Sequence, residues 1–337
     1  MKLWRIGFAG FGNVNRSLAR LLLARRDELL ARHGIAFQVN MAATRRYGAL
    51  VEERGLDVEA LLDSGWSGGG DLTAALRDAP IDLLFEGTTL DPVAGEPATA
   101  YVRATLERGV SVVSANKGPL AFAAHELLRL ARRTGAGFRF ESSVADCVPV
   151  FDLCEAVVPV GELIAFEGVL NATSNIVLEA VAAGVALDEA VASAQRRGIA
   201  EADPSNDLDG WDHAVKAVIL SNVLFGADLR PLDVDRTTVA EVDLEWVRAE
   251  TRAGRTVRMV AAGGRDRRAR VEARSLLPGA FLAGLGSGAL GLVLETELAG
   301  SIQVAGTDPG VEHTAYGMLT DLVAIHQGRR TVPWPLL

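Results

Sequence analysis

The sequence predicts an α/β protein in which a parallel sheet with crossover helices is followed by an α+β domain. Two observations carry this prediction. Short apolar runs alternate with longer amphipathic segments through about the first 140 residues, which is the pattern of successive βαβ units. Beyond about residue 150 the alternation stops, and helices follow one another before several strands. A chain of 337 residues is long enough for two domains, each with its own core.

The elements of the first domain follow from apolar runs and their periodicity. Residues 3–9 form the first predicted strand, because apolar and small residues there surround a single arginine. An amphipathic helix is predicted over about residues 16–32. The remaining strands are predicted at 37–43, 81–86, 111–114 and 137–141, and the remaining helices at about 96–108 and 120–133. Helices between the strands predict parallel pairing.

The second part of the chain has a different rhythm. A strand is predicted at 162–170, followed by two helices and by several strands between 256 and 304. A last helix at about 313–327 is compatible with a return of the chain to the first domain. The predicted domains are therefore residues 1–149 with 305–337, and residues 150–304.

One uncharged stretch, from Ser275 to Leu294, is long enough to span a membrane. It contains Pro278 and five glycines, and such punctuation is typical of turns. We therefore predict turns between short buried strands in this stretch, and no membrane span.

Charge and cysteine content exclude several classes of protein. The formal net charge is −9 and the pI is about 5.2, whereas a nucleic acid or an anionic membrane requires a basic face. Cys147 and Cys154 are too far apart for a metal motif, and the five histidines form no pair at ligand spacing. A strand that begins almost at Met1 leaves no room for a signal peptide. We predict a reduced cytoplasmic protein without nucleic acid, membrane or metal partners.

A glycine motif follows the first predicted strand. Gly10-Phe-Gly-Asn-Val-Asn matches the first two glycines of Gly-x-Gly-x-x-Gly in a strand–turn–helix context. Gly10 permits the tight turn, and Gly12 lets the backbone approach a pyrophosphate at the helix N-terminus. Asn15 replaces the third glycine. The motif predicts a Rossmann-type dinucleotide-binding domain, with an ordinary strand–helix turn as the alternative.

Two arginines follow the second predicted strand. A carboxylate at this point would bind the ribose 2′-hydroxyl of NAD, but the chain has Arg45 and Arg46 here. Guanidinium groups suit a 2′-phosphate, so the sequence predicts NADP, with NAD also possible. The alternative is a pair of solvated loop arginines.

An acid-rich loop opens a helix between Gly198 and Lys216. Asp212 and Lys216 are four residues apart and share a helix face. Lys216 also lies on the apolar stripe of that helix, and buried lysines commonly have a chemical task. The alternative is a solvated ion pair of little energetic consequence.

Several segments together resemble the homoserine dehydrogenase family, in order and through nearly the whole chain. They are Gly10-Phe-Gly-Asn-Val, Glu86-Gly-Thr-Thr, Ser114-Ala-Asn-Lys-Gly-Pro, Gly168-Val-Leu-Asn-Ala-Thr-Ser-Asn, the run from Ala200 to Lys216, and Gly306-Thr-Asp-Pro-Gly followed by Thr314-Ala. The resemblance is to the short form, without an appended regulatory domain. It implies an enzyme that interconverts L-homoserine and L-aspartate 4-semialdehyde with NAD(P), and a homodimer formed through the sheet of the second domain.

The resemblance also implies roles for individual residues. Lys216 and Asp212 match the catalytic lysine and its aspartate partner, and Lys117 matches a lysine beside both substrate and nicotinamide. Glu201 and Asp207 match the substrate-binding carboxylates. The implied cofactor-binding residues are Gly10, Gly12, Asn13, Val14, Arg45, Arg46, Thr88, Thr89, Asn116 and Gly306.

One segment departs from the family pattern. The chain has Ala145-Asp146-Cys147 where the family usually has a glycine-rich run. We expect these side chains to stand in the pocket, where Asp146 adds a charge, so another small hydroxy acid or aldehyde is an alternative substrate. Cys147 is either a nucleophile or, with no histidine nearby in sequence, a small packed residue. A catalytically silent nucleotide-binding regulator is a further alternative, against which the five residues Lys117, Glu201, Asp207, Asp212 and Lys216 argue together.

Overall fold

The computed structural model describes residues 1–64, 66–67, 69–307 and 309–332. Asp308 of the Gly306 segment and the end of the predicted first domain, residues 333–337, lie outside the described residues. The chain divides into two compact units. Among the described residues, the first contains Met1–Phe151 and residues 310–332, and the second contains residues 152–307 and 309.

Two sheets organise the described residues. Their strands are β1 (Lys2–Ala9), β2 (Ile35–Thr44), β3 (Gly48–Val51), β4 (Leu83–Glu86), β5 (Ser111–Ser114), β6 (Phe138–Arg139), β7 (Leu163–Val169), β8 (Asp235–Arg236), β9 (Thr256–Gly264), β10 (Ala269–Leu276), β11 (Leu290–Thr296) and β12 (Gly300–Gly306).

Helices connect and cover these strands. Within the described ranges they are α1 (Asn13–Ala24), α2 (Arg26–His33), α3 (Val58–Ser64), α4 (Leu72–Asp78), α5 (Ala98–Glu107), α6 (Gly118–Thr134), α7 (Ser142–Ala145), α8 (Val150–Val157), α9 (Ala172–Ala182), α10 (Leu187–Arg196), α11 (Ser205–Leu208), α12 (Trp211–Phe225), α13 (Leu244–Arg252) and α14 (Val311–His326).

The sheet of the first unit has the strand order β3-β2-β1-β4-β5-β6. Its pairings are parallel except for β3, which pairs antiparallel with β2 at the edge. The order reverses between β1 and β4, and open α/β sheets bind ligands at such a point, outside the carboxyl ends of the strands. The topology therefore locates the ligand edge of this unit.

The core of the first unit joins β1, β4 and α1 to the returning helix α14. Phe8 and Phe85 stack in it, and Leu18, Met318 and Leu322 are buried around them. A buried ion pair fastens α14 further. Arg139 Nε of β6 lies 3.1 Å from Asp321 Oδ1, and both side chains are almost wholly buried.

The sheet of the second unit has the order β12-β11-β7-β9-β10-β8 and is largely antiparallel. Helices α9, α12 and α13 pack against its strands on one side. The other face carries charged residues of paired strands, among them Glu167, Arg270 and Arg274.

The predicted fold class, a Rossmann-type domain with an α+β domain, is confirmed. The single helix predicted over residues 16–32 is wrong. Arg25, at φ −109° and ψ 13°, interrupts it, and Asp27 and Glu28 favour a new helix start because carboxylates suit the first turn. The short elements β3, α3 and α4 were not predicted.

The uncharged stretch behaves as predicted. β10 ends at Leu276 and β11 begins at Leu290, with turns between them. No helix in the described part of the chain combines the length and hydropathy needed to cross a membrane.

Candidate active site

A cleft of about 830 Å³ lies at the ligand edge of the first unit. It contains several of the predicted cofactor-binding residues, namely Gly10, Gly12, Arg45, Arg46, Thr88 and Thr89. Its remaining lining comes from the loops after β1, β2 and β4 and from the starts of α4 and α5. Its size is that of a small-molecule or cofactor site.

Glycine is explained differently at the two positions of the motif. Gly10 has a φ of +75°, and an added Cβ would lie 2.5 Å from the carbonyl oxygen of Gly87, so the fold itself requires glycine there. Among the described residues, no atom lies within 4 Å of the ideal Cβ position of Gly12. That open space fits a backbone that a ligand approaches closely.

The N-terminus of α1 is open to an anion. Gly12 is its N-cap, Asn13 and Val14 form its first turn, and in the described structure no side chain caps it and no acid lies in that turn. Its backbone N–H groups and helix dipole therefore favour a phosphate. Asn15 is buried and donates to the carbonyl oxygens of Ala9 (3.2 Å) and Gly10 (2.5 Å), which ties the helix to the loop without a third glycine.

Arg45 and Arg46 lie in the turn between β2 and β3, and both are exposed. The Arg46 guanidinium lies 5.1 Å from the ring centroid of Tyr47, which also lines the cleft. Two cations therefore follow the carboxyl end of the second strand, at the ligand edge of the sheet.

Thr88 and Asn116 are linked beneath the cleft. Asn116 Nδ2 donates to the carbonyl oxygen (3.1 Å) and hydroxyl (3.3 Å) of Thr88, and its Oδ1 accepts from Gly118 N. Both residues also contact the buried carboxylate of Glu86, whose pKa is raised by burial. Lys117 follows β5 as the N-cap of α6 and is half-buried.

In the second unit, the predicted site residues Lys216, Asp212 and Asp207 lie together. Asn171, which was not predicted as a site residue, contacts both aspartates. Lys216 Nζ lies 2.8 Å from Asp212 Oδ2, and it also donates to the carbonyl oxygen of Leu170 at 2.5 Å. Asn171 Nδ2 donates to Asp212 (3.0 Å) and to Asp207 (2.7 Å). Lys216 is only 8% exposed, so the pair is not a solvated surface ion pair.

Asn171 could not be assigned a role from spacing, because its partners are 36 and 41 residues away. Its other contacts are local. Its Oδ1 accepts from the backbone N–H of Ser174 and caps α9, as asparagine commonly does before a helix. That cap aims the amide at the two aspartates.

Two further predicted residues lie outside helices α9 and α12. Glu201 is exposed in the loop before α11, and its backbone carbonyl accepts from Gln195. Gly306 ends β12 at the edge of the second sheet.

His213, next to Asp212 on α12, is completely buried. Burial lowers the pKa of its imidazole to about 4, so the ring is neutral at neutral pH. Its place in the core distinguishes it from the polar cluster beside it.

The structure gives Asp146 two contacts that its loop pattern did not predict. Asp146 Oδ2 accepts from Gly310 N at 2.7 Å, and Oδ1 accepts from the hydroxyl of Thr314 at 2.8 Å. The carboxylate therefore binds at the N-terminus of α14, where the helix dipole favours it. These contacts could not be predicted from the loop pattern, because Gly310 is 164 residues away in sequence.

Cys147 is half-buried, and the pKa of its thiol is raised by burial and by the charge of Asp146. A raised pKa lowers the thiolate fraction that a nucleophile needs, which favours the packed-residue interpretation. Among the described residues, no group of three or more His, Cys, Asp or Glu side chains is arranged to hold a metal ion.

The fold and these residues define a class of protein. A dinucleotide-type cleft with an open helix N-terminus, in a chain that also carries a buried lysine–aspartate pair, is typical of oxidoreductases that use a nicotinamide dinucleotide.

Comparison with known proteins gives the family. The family model described as homoserine dehydrogenase matches residues 149–323. An NAD(+)-dependent homoserine dehydrogenase from Pseudomonas canavaninivorans is 35% identical over 342 residues, which cover 97% of each chain. A homoserine dehydrogenase from Methanocaldococcus jannaschii is 28% identical over 95% of this chain and 98% of the relative. The crystal structure of homoserine dehydrogenase from Thermoplasma acidophilum superposes with a TM-score of 0.81, at 27% identity over 97% and 100% of the two chains. The chain belongs to the homoserine dehydrogenase family.

Proposed function

We propose that the protein interconverts L-homoserine and L-aspartate 4-semialdehyde by hydride transfer with NADP(H), and that NAD(H) can substitute. The observation that carries this proposal is the buried pair of Lys216 and Asp212, held together with Asp207 by Asn171. The cofactor, when bound, supplies or accepts the hydride. Gly10, Gly12 and the first turn of α1 would hold its pyrophosphate.

Lys216 handles the proton at the reacting oxygen. Reduction of the aldehyde builds negative charge on the carbonyl oxygen, and a lysine ammonium stabilises that charge and donates a proton to it. In the opposite direction the neutral amine accepts the hydroxyl proton. Asp212 and the carbonyl oxygen of Leu170 orient the Lys216 side chain, since both contact Nζ.

The remaining residues bind the substrate. Asp207 and Glu201 are carboxylates that can accept charge-assisted hydrogen bonds from the substrate ammonium group. Lys117 follows β5, so it belongs to the ligand edge of its sheet, where it would lie beside nicotinamide and substrate.

The lysine assignment is tested by steady-state kinetics on Lys216→Ala. A group that acts mainly in the transition state should lower kcat by about a hundredfold or more when removed. Lys2→Ala is the matched control, because Lys2 begins β1, at the end of the strand opposite the cleft. A loss of less than about tenfold in a folded Lys216→Ala protein would exclude Lys216 as the proton-handling group. Lys117 would then be the first candidate.

The preference for NADP rests on Arg45 and Arg46. The relative named as NAD(+)-dependent makes NAD preference the competing outcome. Changing both arginines to alanine should raise the KM for NADP and leave that for NAD nearly unchanged, since only NADP carries the 2′-phosphate. Equal kcat/KM for NAD and NADP in the parent protein would refute the preference.

Another small hydroxy acid is not favoured as the substrate. That alternative depended on the side chains of Ala145, Asp146 and Cys147 in the pocket, and the Asp146 carboxylate is engaged by Gly310 and Thr314. Efficient oxidation of homoserine by the parent protein, measured against a panel of hydroxy acids, distinguishes the two.

The protein forms a homodimer through the sheet of the second unit. On the face of this sheet away from α12, the edge strand β12 exposes Ser301, Gln303 and Ala305. Ala305→Arg should convert a dimer to a monomer in light scattering, because it adds a bulky cation to a face on which Arg270 and Arg274 already lie. A monomeric parent would contradict this proposal.

A reducing cytoplasmic location fits two free cysteines.

A further inference from the structure

Glu86 ends β4 with a carboxylate that is completely buried. Its Oε1 accepts from the backbone N–H of Thr88 (2.9 Å), from the Thr88 hydroxyl (2.5 Å) and from Asn116 Nδ2 (3.4 Å). Its Oε2 accepts from the hydroxyl of Ser114 at 2.7 Å. The Glu86 side chain therefore links the loop after β4 to the end of β5 through hydrogen bonds.

The place of Glu86 in the sheet links it to one half of the cofactor site. In this topology the pyrophosphate binds at the turn after β1, and the adenosine half extends toward the end of β2. The nicotinamide half then lies over the ends of β4 and β5, which pair directly. Thr88 lines the cleft at that point, with Glu86 beneath it.

We propose that Glu86 is a positioning residue for the nicotinamide half of the cofactor site, acting by holding Thr88 and Asn116 in place. The proposal rests on the proposed function and adds a residue to it. Glu86 does not line the cleft and acts through its partners.

The chemistry of the site favours positioning over stabilisation as the task of this carboxylate. Burial raises the pKa of Glu86, so its charged form is costly, and an apolar residue of similar volume would avoid that cost. Such a residue would leave the N–H of Thr88 and the amide of Asn116 without their acceptor. Those two groups would then be free to reorient, because unsatisfied buried donors seek other partners.

A glutamine at this position should preserve the function. In Glu86→Gln, the side-chain amide oxygen can accept from Thr88 and Asn116, and the amide NH₂ can donate to Ser114 Oγ. The Ser114 hydroxyl can then turn toward the carbonyl oxygen of Asn116, which lies 3.5 Å away. The geometry survives while the charge is lost.

The experiment measures cofactor binding, not turnover. NADPH and 2′-phospho-ADP-ribose, which lacks nicotinamide, are titrated against the parent, Glu86→Gln and Glu86→Ala. We expect Glu86→Ala to weaken NADPH about tenfold or more and the fragment less than about twofold, with Glu86→Gln near the parent for both. Equal weakening of both ligands, no weakening in Glu86→Ala, or a Glu86→Gln protein as impaired as Glu86→Ala would overturn the proposal.

Two further measurements separate the possible failures. If Glu86→Ala does not fold, Glu86→Asp keeps a carboxylate but withdraws it from Thr88 and Asn116 by one methylene group, and it should show the same split between the two ligands. A parent that binds neither of these ligands nor NADH would refute the proposed function itself. A parent that binds both, with variants that show no split, would refute only the role of Glu86.

Discussion

Asp146 combines an unfavourable backbone with a favourable side chain. Its φ of 55° and ψ of −109° belong to a region that glycine tolerates far better than other residues. Such a conformation costs on the order of 1–3 kcal/mol. The two hydrogen bonds at the start of α14 offset that cost, since a helix cap contributes about 0.5–2 kcal/mol.

This balance predicts an order of stability among variants at position 146. Asp146→Ala keeps the strained backbone and loses the cap, so its free energy of unfolding should fall by about 1–2 kcal/mol. Asp146→Gly loses the same cap but relieves the strain, and it should fall less. Thermal or urea unfolding of the two proteins gives the comparison. An alanine variant as stable as the glycine variant would show that the backbone is not strained.

His213 makes stability depend on pH. Its pKa is about 4 in the folded protein, because burial disfavours the imidazolium, against a reference value of 6.5 when unfolded. The unfolded state therefore binds a proton first as the pH falls. The folded state loses stability from about pH 6.5 down to about pH 4, by on the order of 3 kcal/mol in total.

Replacing His213 with phenylalanine should flatten this dependence. Urea unfolding at about pH 7 and about pH 5 should show a smaller difference for His213→Phe than for the parent. His313→Gln is the matched control, since His313 is exposed, and it should keep the parent's pH dependence. If the His213→Phe protein kept the full pH dependence of the parent's stability, that dependence would come from other groups.

At the level of elements, the two glycines before α1 can be tested separately, because Gly10 is required by the fold and Gly12 is proposed to be required by the ligand. Gly12→Val should leave unfolding unchanged, because the position of its Cβ is open and its φ of −86° suits any residue. It should nevertheless abolish NADPH binding, since branched carbon would occupy the approach to the pyrophosphate. Gly10→Ala should destabilise the protein, because its Cβ would meet Gly87. Normal cofactor binding by Gly12→Val would refute the site.

Sequence reasoning succeeded where the determining interactions are local. The first strand and the glycine turn follow from periodicity and from one motif, and the Asp212–Lys216 pair follows from helical spacing. It failed where the partner is distant. The contacts of Asn171 and Asp146 join segments that only the folded chain brings together.

At the level of the whole molecule, the use of cations is uneven. The chain has three lysines, Lys2, Lys117 and Lys216, among 34 lysines and arginines. Apart from Lys216 with Asp212, the ion pairs described above use arginine, as in Arg139 with Asp321. Unlike arginine, lysine can release its proton in a protein, so proton transfer would require it. Two of the three lysines are those that the family resemblance places in the chemistry.

Because the chain has only three lysines, chemical modification of amines can report on each lysine separately. Reductive methylation followed by mass spectrometry reports on only three side chains, so each site yields its own footprint. NADPH should slow the methylation of Lys117 and leave that of Lys2 unchanged, while the folded chain should protect Lys216, which is 8% exposed, until it is unfolded. Equal labelling of Lys117 with and without NADPH would place the nicotinamide away from it. A single experiment would thus map the surroundings of each lysine without a variant.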